Sequence, residues 1–108
     1  MNKLQEEDVL ISIEDILSSR GRVRILKLLL EQEELNISAI MHKCALNYSA
    51  VVYHLGKLVE AGLVKEKRFG KIRIFKIDKN NPVNILLSRV FESLNRIDSS
   101  EYKVNDRY

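Results

Sequence analysis

The sequence predicts a mainly helical α+β domain with one small β-hairpin and a separate, longer helix at its C-terminal end. Three observations carry this expectation. Apolar residues recur at helical spacing through residues 20–32, 48–60 and 82–98. Residues 63–77 read instead as two short strands folded about Gly70. The single proline, Pro82, stands directly after Asn81, where a capped helix would begin. A length of 108 residues gives room for one compact domain. Its core is assigned to residues 9–80 with the hairpin at 63–77, its last helix to 82–98, and flexible flanks to 1–8 and 99–108.

Residues 9–18 read as a short helix, and Ser18 or Ser19 caps the next one, Arg20 to Gln32. That second helix is apolar on two sides, with Val23, Leu26 and Leu30 on one and Ile25, Leu28 and Leu29 on the other. Such a pattern belongs to a helix buried between two layers. Its remaining stripe is Arg20, Arg24 and Lys27, which reads either as a solvent-facing basic edge or as a contact to a DNA backbone. Leu35-Asn36-Ile37 is long enough only for a bridging strand, after which Ser38 caps a two-turn helix over Ala39–Cys44 with Ile40 and Met41 turned inward. Asn47 caps a helix from Tyr48 to Glu60, closed by Gly62 at the C′ position.

This third long segment divides cleanly when projected at about 100° per residue. Val51, Leu55, Leu58 and Val59 share the core side, and Ser49, Tyr53, Gly56 and Glu60 form the opposite stripe, flanked by Val52 and Lys57. Small, hydroxylated and aromatic side chains near its N-terminal end let a helix sink into a major groove and reach base edges. The hairpin carries Lys67, Arg68, Lys71 and Arg73 around its tip, a composition suited to phosphate contact. Its alternation slips at Ile74-Phe75, which implies either a bulge or burial on both faces. In the last helix Val83, Leu86, Leu87, Val90, Leu94 and Ile97 form one stripe with Phe91 beside it. The partial heptad spacing fits helix pairing across a two-fold axis, and packing back on its own domain is the alternative.

Charge and composition narrow the function. The net charge is only +3, but bases cluster. Lys57, Lys65, Lys67, Arg68, Lys71, Arg73, Lys76 and Lys79 face only Glu60, Glu66 and Asp78, and Arg20, Arg22, Arg24 and Lys27 form a group with no acid. Clustered bases serve a phosphate-binding surface, because each neutralised phosphate releases counterions. No apolar run approaches the roughly 18 residues that cross a bilayer, and the opening residues Met1 to Asp8 are acidic, unlike a secretory signal. A cytoplasmic protein with no membrane partner is expected. One cysteine, Cys44, excludes an intramolecular disulfide. It reads as a small buried residue or as half of an intersubunit disulfide. No glycine-rich phosphate loop, zinc motif or nucleophile–base–acid set is present, so neither catalysis nor a cofactor is expected.

Helix, strand, helix, turn, helix, basic hairpin, helix is the order of a winged helix-turn-helix, and the last helix is then an added dimerisation element. Arg20-Gly21-Arg22-Val23-Arg24-Ile25-Leu26-Lys27-Leu28-Leu29 resembles the opening helix of ArsR-like regulators. Residues 46–64, with His54-Leu55, Leu58 and Ala61-Gly62-Leu63-Val64, are similar to their recognition helix and its exit, a pattern shared with MarR-like regulators. Residues 68–77 look like their wing. The resemblance covers slightly more than half the chain and implies a prokaryotic or viral homodimer on double-stranded DNA. It places Asn47, Tyr48, Ser49, Ala50, Val52 and Tyr53 near bases or adjacent phosphates, and Lys57, Lys67, Arg68, Lys71 and Arg73 on phosphates. Ser49 also reads as a helix-start residue, and Tyr48 as core. One departure matters: metal-sensing members carry paired cysteines or His/Asp sets, whereas here His42 and Cys44 stand two apart and the last helix has no histidine. No metal is expected. An architectural DNA-coating protein and a protein-interaction module remain as rival readings.

Overall fold

Ser12 accepts a hydrogen bond from the Asp15 amide at 3.2 Å and opens helix α1, Ile13–Leu17. The computed structural model describes residues 12–97. Residues 9–11 of the expected first helix, residue 98 of the expected last one, and the flanks 1–8 and 99–108 lie outside the described residues. Of the two serines able to cap α2, Arg20–Gln32, Ser19 does so, its hydroxyl accepting from the Arg22 amide at 3.2 Å. Helix α2 lies at the centre, packed against α1 and against every later helix. That placement accounts for its two apolar sides: Ile25, Leu26 and Leu29 are fully buried, while Val23, Leu28 and Leu30 are partly covered.

Strand β1, Glu34–Asn36, leads directly into α3, Ile37–Cys44. The expected Ser38 cap is corrected here. Asn36 caps α3, its Oδ1 accepting from the Ala39 amide at 2.8 Å. Ile37 is the first helical residue and points into the core, and Ser38 is exposed. Burying Ile37 decides between two cap-capable residues two positions apart. Helix α3 ends at Ala45, which is left-handed (φ 56°), an uncommon state for a residue with a Cβ. The two-residue turn Leu46-Asn47 then delivers the chain to α4, Tyr48–Glu60, capped by Asn47 Oδ1 on the Ala50 amide at 2.8 Å.

Helix α4 closes with a Schellman motif. The Leu63 amide donates to Leu58 O and the Gly62 amide to Val59 O, with Gly62 at φ 79°. Leu58 and Leu63, the pair such a motif brings together, are both buried. Val51, Leu55 and Leu58 occupy the core as expected, but Val59 is exposed. It sits at the edge of the apolar arc, and no neighbouring element among the described residues reaches over it.

Strands β2, Val64–Phe69, and β3, Ile72–Ile77, form the hairpin, and β1 adds on the far side of β3 to give an antiparallel sheet in the order β1-β3-β2. The register runs unbroken from Val64 opposite Ile77 to Phe69 opposite Ile72. No bulge forms; the slip at Ile74-Phe75 reflects the middle position of β3, where Phe75 is buried and Ile74 half-covered. Gly70 (φ 62°) takes the first of the two loop positions, where a two-residue hairpin needs positive φ. Helix α5, Pro82–Ile97, follows, with Asn81 Oδ1 accepting from the Val83 amide at 2.8 Å.

Candidate nucleic-acid interface

Recognition-helix candidates emerge where α4 turns its outer stripe to solvent: Tyr48, Ser49, Tyr53, Gly56 and Glu60 are exposed, with Ala50, Val52 and Lys57 half-covered. Asn47 is exposed and committed to its cap. Tyr53 is the most elaborately held of these. The Arg22 guanidinium and the Lys57 ammonium each lie 5.7 Å from its ring centroid, and the His54 ring meets it edge-on at 5.5 Å. Two cations around one exposed aromatic make a rigid, positively charged prow.

Arg22 is buried, although the sequence counts it simply as one more base in a cluster. It stands in the first turn of α2, where the helix dipole disfavours a cation. Its Nη1 donates to the Asp15 carbonyl in the last turn of α1, which also accepts from the Ser18 hydroxyl. His54 lies beside it, with Nε2 at 3.4 Å from the Ser19 hydroxyl. A Cβ at Gly21 would stand 3.0 Å from that same ring nitrogen, so glycine permits the approach of α2 to α4. Burial first, and the Arg22 charge second, hold the His54 pKa below its ordinary value. The folded state therefore binds fewer protons than the unfolded chain just below pH ~6.5. Stability should be intact above that pH and decline as pH falls through the depressed folded value. Melting temperature measured from pH 8 to pH 5 should show this decline, and His54→Gln should flatten it. A variant that keeps the wild-type profile would refute the assignment to His54.

The wing is organised around Glu66. Its carboxylate accepts from Arg73 Nε at 2.7 Å, from Arg73 Nη2 at 3.3 Å and from Arg68 Nε at 3.0 Å. Hydrogen bonding to Arg73 is the largest cause holding the Glu66 carboxyl below its usual range. Arg73 also lies over the Phe75 ring at 5.4 Å. Lys67 reaches Glu34 of β1 at 3.7 Å. Lys71, at the tip, makes no ion pair among the described residues and is exposed. Of the four expected wing cations, three are thus held by carboxylates and one is free. A groove of about 320 Å³ joins the wing to the helix-turn-helix, lined by Tyr48, Lys71 and Arg73 together with Asn36, Ser38 and Met41. The sequence does not place Asn36 and Ser38 at the interface; it marks Ser38 only as a helix cap.

Two members of the basic stripe on α2, Arg24 and Lys27, are put to structural use. Arg24 Nη1 donates to the Cys44 carbonyl at 2.8 Å, satisfying the end of α3, and Lys27 lies 5.6 Å from the centroid of Phe91. Cys44 is buried in its own core, and burial pushes its thiol pKa up, so the reading as a small core residue holds and the intersubunit disulfide does not. His42 is exposed, so these two donors point apart. Of the residues expected to meet a partner chain, Val83, Leu86, Val90, Leu94 and Ile97 are exposed. Leu87 is buried in its own domain and Phe91 is packed against that core. Ile13 and Leu17 of α1 are further exposed apolar residues.

Residues 19–66 match the family model described as bacterial regulatory protein, arsR family. This segment is similar to the arsR family's winged helix-turn-helix. The matched segment begins at the Ser19 cap and ends at Glu66 in the wing, so it contains α2, α3 and the whole of α4. The family it resembles is one of bacterial regulatory proteins. Rv0081 of Mycobacterium tuberculosis is 28% identical, with a TM-score of 0.63 over 94% of this chain and 95% of its own. The homodimeric winged helix-turn-helix DNA-binding domain Mb0332 of Mycobacterium bovis is 22% identical, with a TM-score of 0.65 over 89% and 85%. The transcriptional regulator HlyU of Vibrio vulnificus is 22% identical, with a TM-score of 0.64 over 86% and 90%. No curated protein matches the sequence. No helix among the described residues is long and apolar enough to cross a membrane.

Proposed function

We propose that this arsR-family domain is a sequence-specific transcriptional regulator that binds double-stranded DNA as a homodimer. Helix α4 enters the major groove and the β2–β3 wing lies on the adjacent backbone. The observation that carries this reading is the groove where Tyr48 of α4 meets Lys71 and Arg73 of the wing, since it makes one continuous surface of the two. Tyr53 and the N-terminal residues of α4 face bases, while Lys71, Arg68 and Lys57 face phosphates. The chain acts by binding and not by catalysis, and it works in the cytoplasm, where a bacterial regulator meets its DNA.

Selection of binding sites from random duplex DNA tests the reading. An inverted repeat with half-sites about one helical turn apart supports it. Lys71→Ala should weaken binding to every sequence alike and reduce the salt slope by ~0.9, the release expected for one phosphate contact. An unchanged slope would remove the hairpin from the DNA. The outward stripe of α4 carries no Arg or Gln, which favours a second reading, a coating protein of low specificity. Retention of DNA with no enriched motif would support that alternative.

A further inference from the structure

A second groove, of about 380 Å³, lies away from the DNA-facing surface, between the C-terminal half of α2, the end of β3 and helix α5. Leu30, Ile77 and Ile85 supply its apolar surface, and Asn84, Arg89 and Glu92 its principal polar groups. Its size is that of a small-molecule site.

Asn84 is 2% exposed on a helix otherwise patterned for packing. Its Nδ2 uses both hydrogens, one on the Leu63 carbonyl at 2.9 Å and one on the Asp78 carbonyl at 2.8 Å. That pairing fixes the orientation of the amide, because a flip would set Oδ1 against two carbonyls. Oδ1 is therefore a buried acceptor with no donor, a costly state that a ligand's O–H or N–H relieves. Farther along α5, Arg89 and Glu92 stand three residues apart and make no ion pair among the described residues. Lys79, the other cation of the groove, is already held by Glu33 at 2.7 Å. From Asn84 to Arg89 the helix rises about 7.5 Å, comparable to the length of a para-hydroxyphenyl side chain. Projected on α5, Ile85, Ser88 and Glu92 fall on the flank away from Val83, Leu86 and Val90, so a chain paired on that stripe leaves the groove open.

We propose that this groove binds an amino acid whose aromatic side chain ends in a hydrogen-bond donor. The ring lies on Leu30, Ile77 and Ile85, its hydroxyl donates to Asn84 Oδ1, its carboxylate meets Arg89 and its ammonium meets Glu92. Asn84 is also the side chain that ties α5 to Leu63, the first residue beyond the Gly62 turn that ends α4. The occupant therefore touches the group that holds the exit of the recognition helix, which makes the groove an effector site if the DNA-binding reading is right.

The test is a titration of the ¹⁵N-labelled protein, without DNA, with L-tyrosine, L-phenylalanine and tyramine. L-Tyrosine should give saturable shifts at the Asn84 side-chain amide, Ser88, Arg89 and the Leu63 amide. L-Phenylalanine, lacking the hydroxyl, and tyramine, lacking the carboxylate, should each bind at least ~10-fold more weakly. Arg89→Ala, an exposed substitution that leaves the core intact, should weaken L-tyrosine by a similar factor. No saturable response to L-tyrosine, an equal response to L-phenylalanine, or unchanged binding by Arg89→Ala overturns the proposal. Because DNA is absent, any of these failures leaves the DNA-binding reading standing.

Discussion

Leu94→Glu should convert the proposed homodimer to a monomer while leaving the fold of each chain intact. Leu94 is 51% exposed and lies on the α5 stripe with Leu86, Val90 and Ile97, so an isolated domain loses almost nothing when it becomes charged. A dimer built on that stripe meets the change twice, once from each copy, and buries two like charges near its axis. A cost of about 1.4 kcal/mol per copy already weakens association roughly 100-fold. The larger consequence falls on DNA. A dimer holds its second recognition helix at high effective concentration over the second half-site, and losing that linkage costs on the order of 10²–10⁴ in affinity. Sedimentation should give a monomer, circular dichroism should be unchanged, and binding to a selected inverted repeat should fall to the level of a single half-site. A variant that sediments as a dimer would show that the seam lies elsewhere, with exposed Ile13 and Leu17 on α1 the next surface to probe.

How much of this was legible beforehand depends on the range of the interaction. The ends of helices α2 and α4 are legible because they are written in local chemistry: Ser19, Asn47 and Gly62 each act on a group three residues away. The start of α3 was misread because Asn36 and Ser38 can both cap. The choice was made by Ile37, whose burial depends on the sheet and helices around it. Val59 was misplaced for a similar reason: periodicity puts it on the apolar arc, but only the assembled domain shows that nothing covers the edge of that arc. The wing exposes a sharper limit. Counting bases gives a strongly cationic hairpin, yet Glu66 is set by strand register diagonally beside Arg73 and offsets one of the two positive charges of Arg68 and Arg73. Asn84 is the extreme case. Nothing in the sequence around it announces a buried amide, because the carbonyls it serves belong to Leu63 and Asp78.

Phe75→Ala should cost about 3–5 kcal/mol of folding stability, the range for removing a buried aromatic ring. Phe75 is 2% exposed on the middle strand, between Leu35 of β1 and Glu66 of β2, and it is the largest fully buried side chain in the core. Its ring also backs the Arg73 guanidinium, so the cavity would open directly beneath the charged pair that organises the wing. Small domains are stable by only about 5–15 kcal/mol, and each kcal/mol moves the melting temperature of a domain this size by roughly 4–8 °C. A fall of at least ~12 °C follows. The control lies in the same strand. Ile72 is 55% exposed at the tip of the hairpin, and Ile72→Ala should stay within about 0.5 kcal/mol of the parent. Urea unfolding of the two variants, each at one fixed protein concentration because the proposed dimerisation would add to apparent stability, measures the contrast. Since side chains alternate along a strand, a one-residue slip would exchange the faces of Phe75 and its neighbours. Equal losses from the two variants, or a loss below ~1 kcal/mol for Phe75→Ala, would show that β3 does not sit in the register that joins the wing to the core.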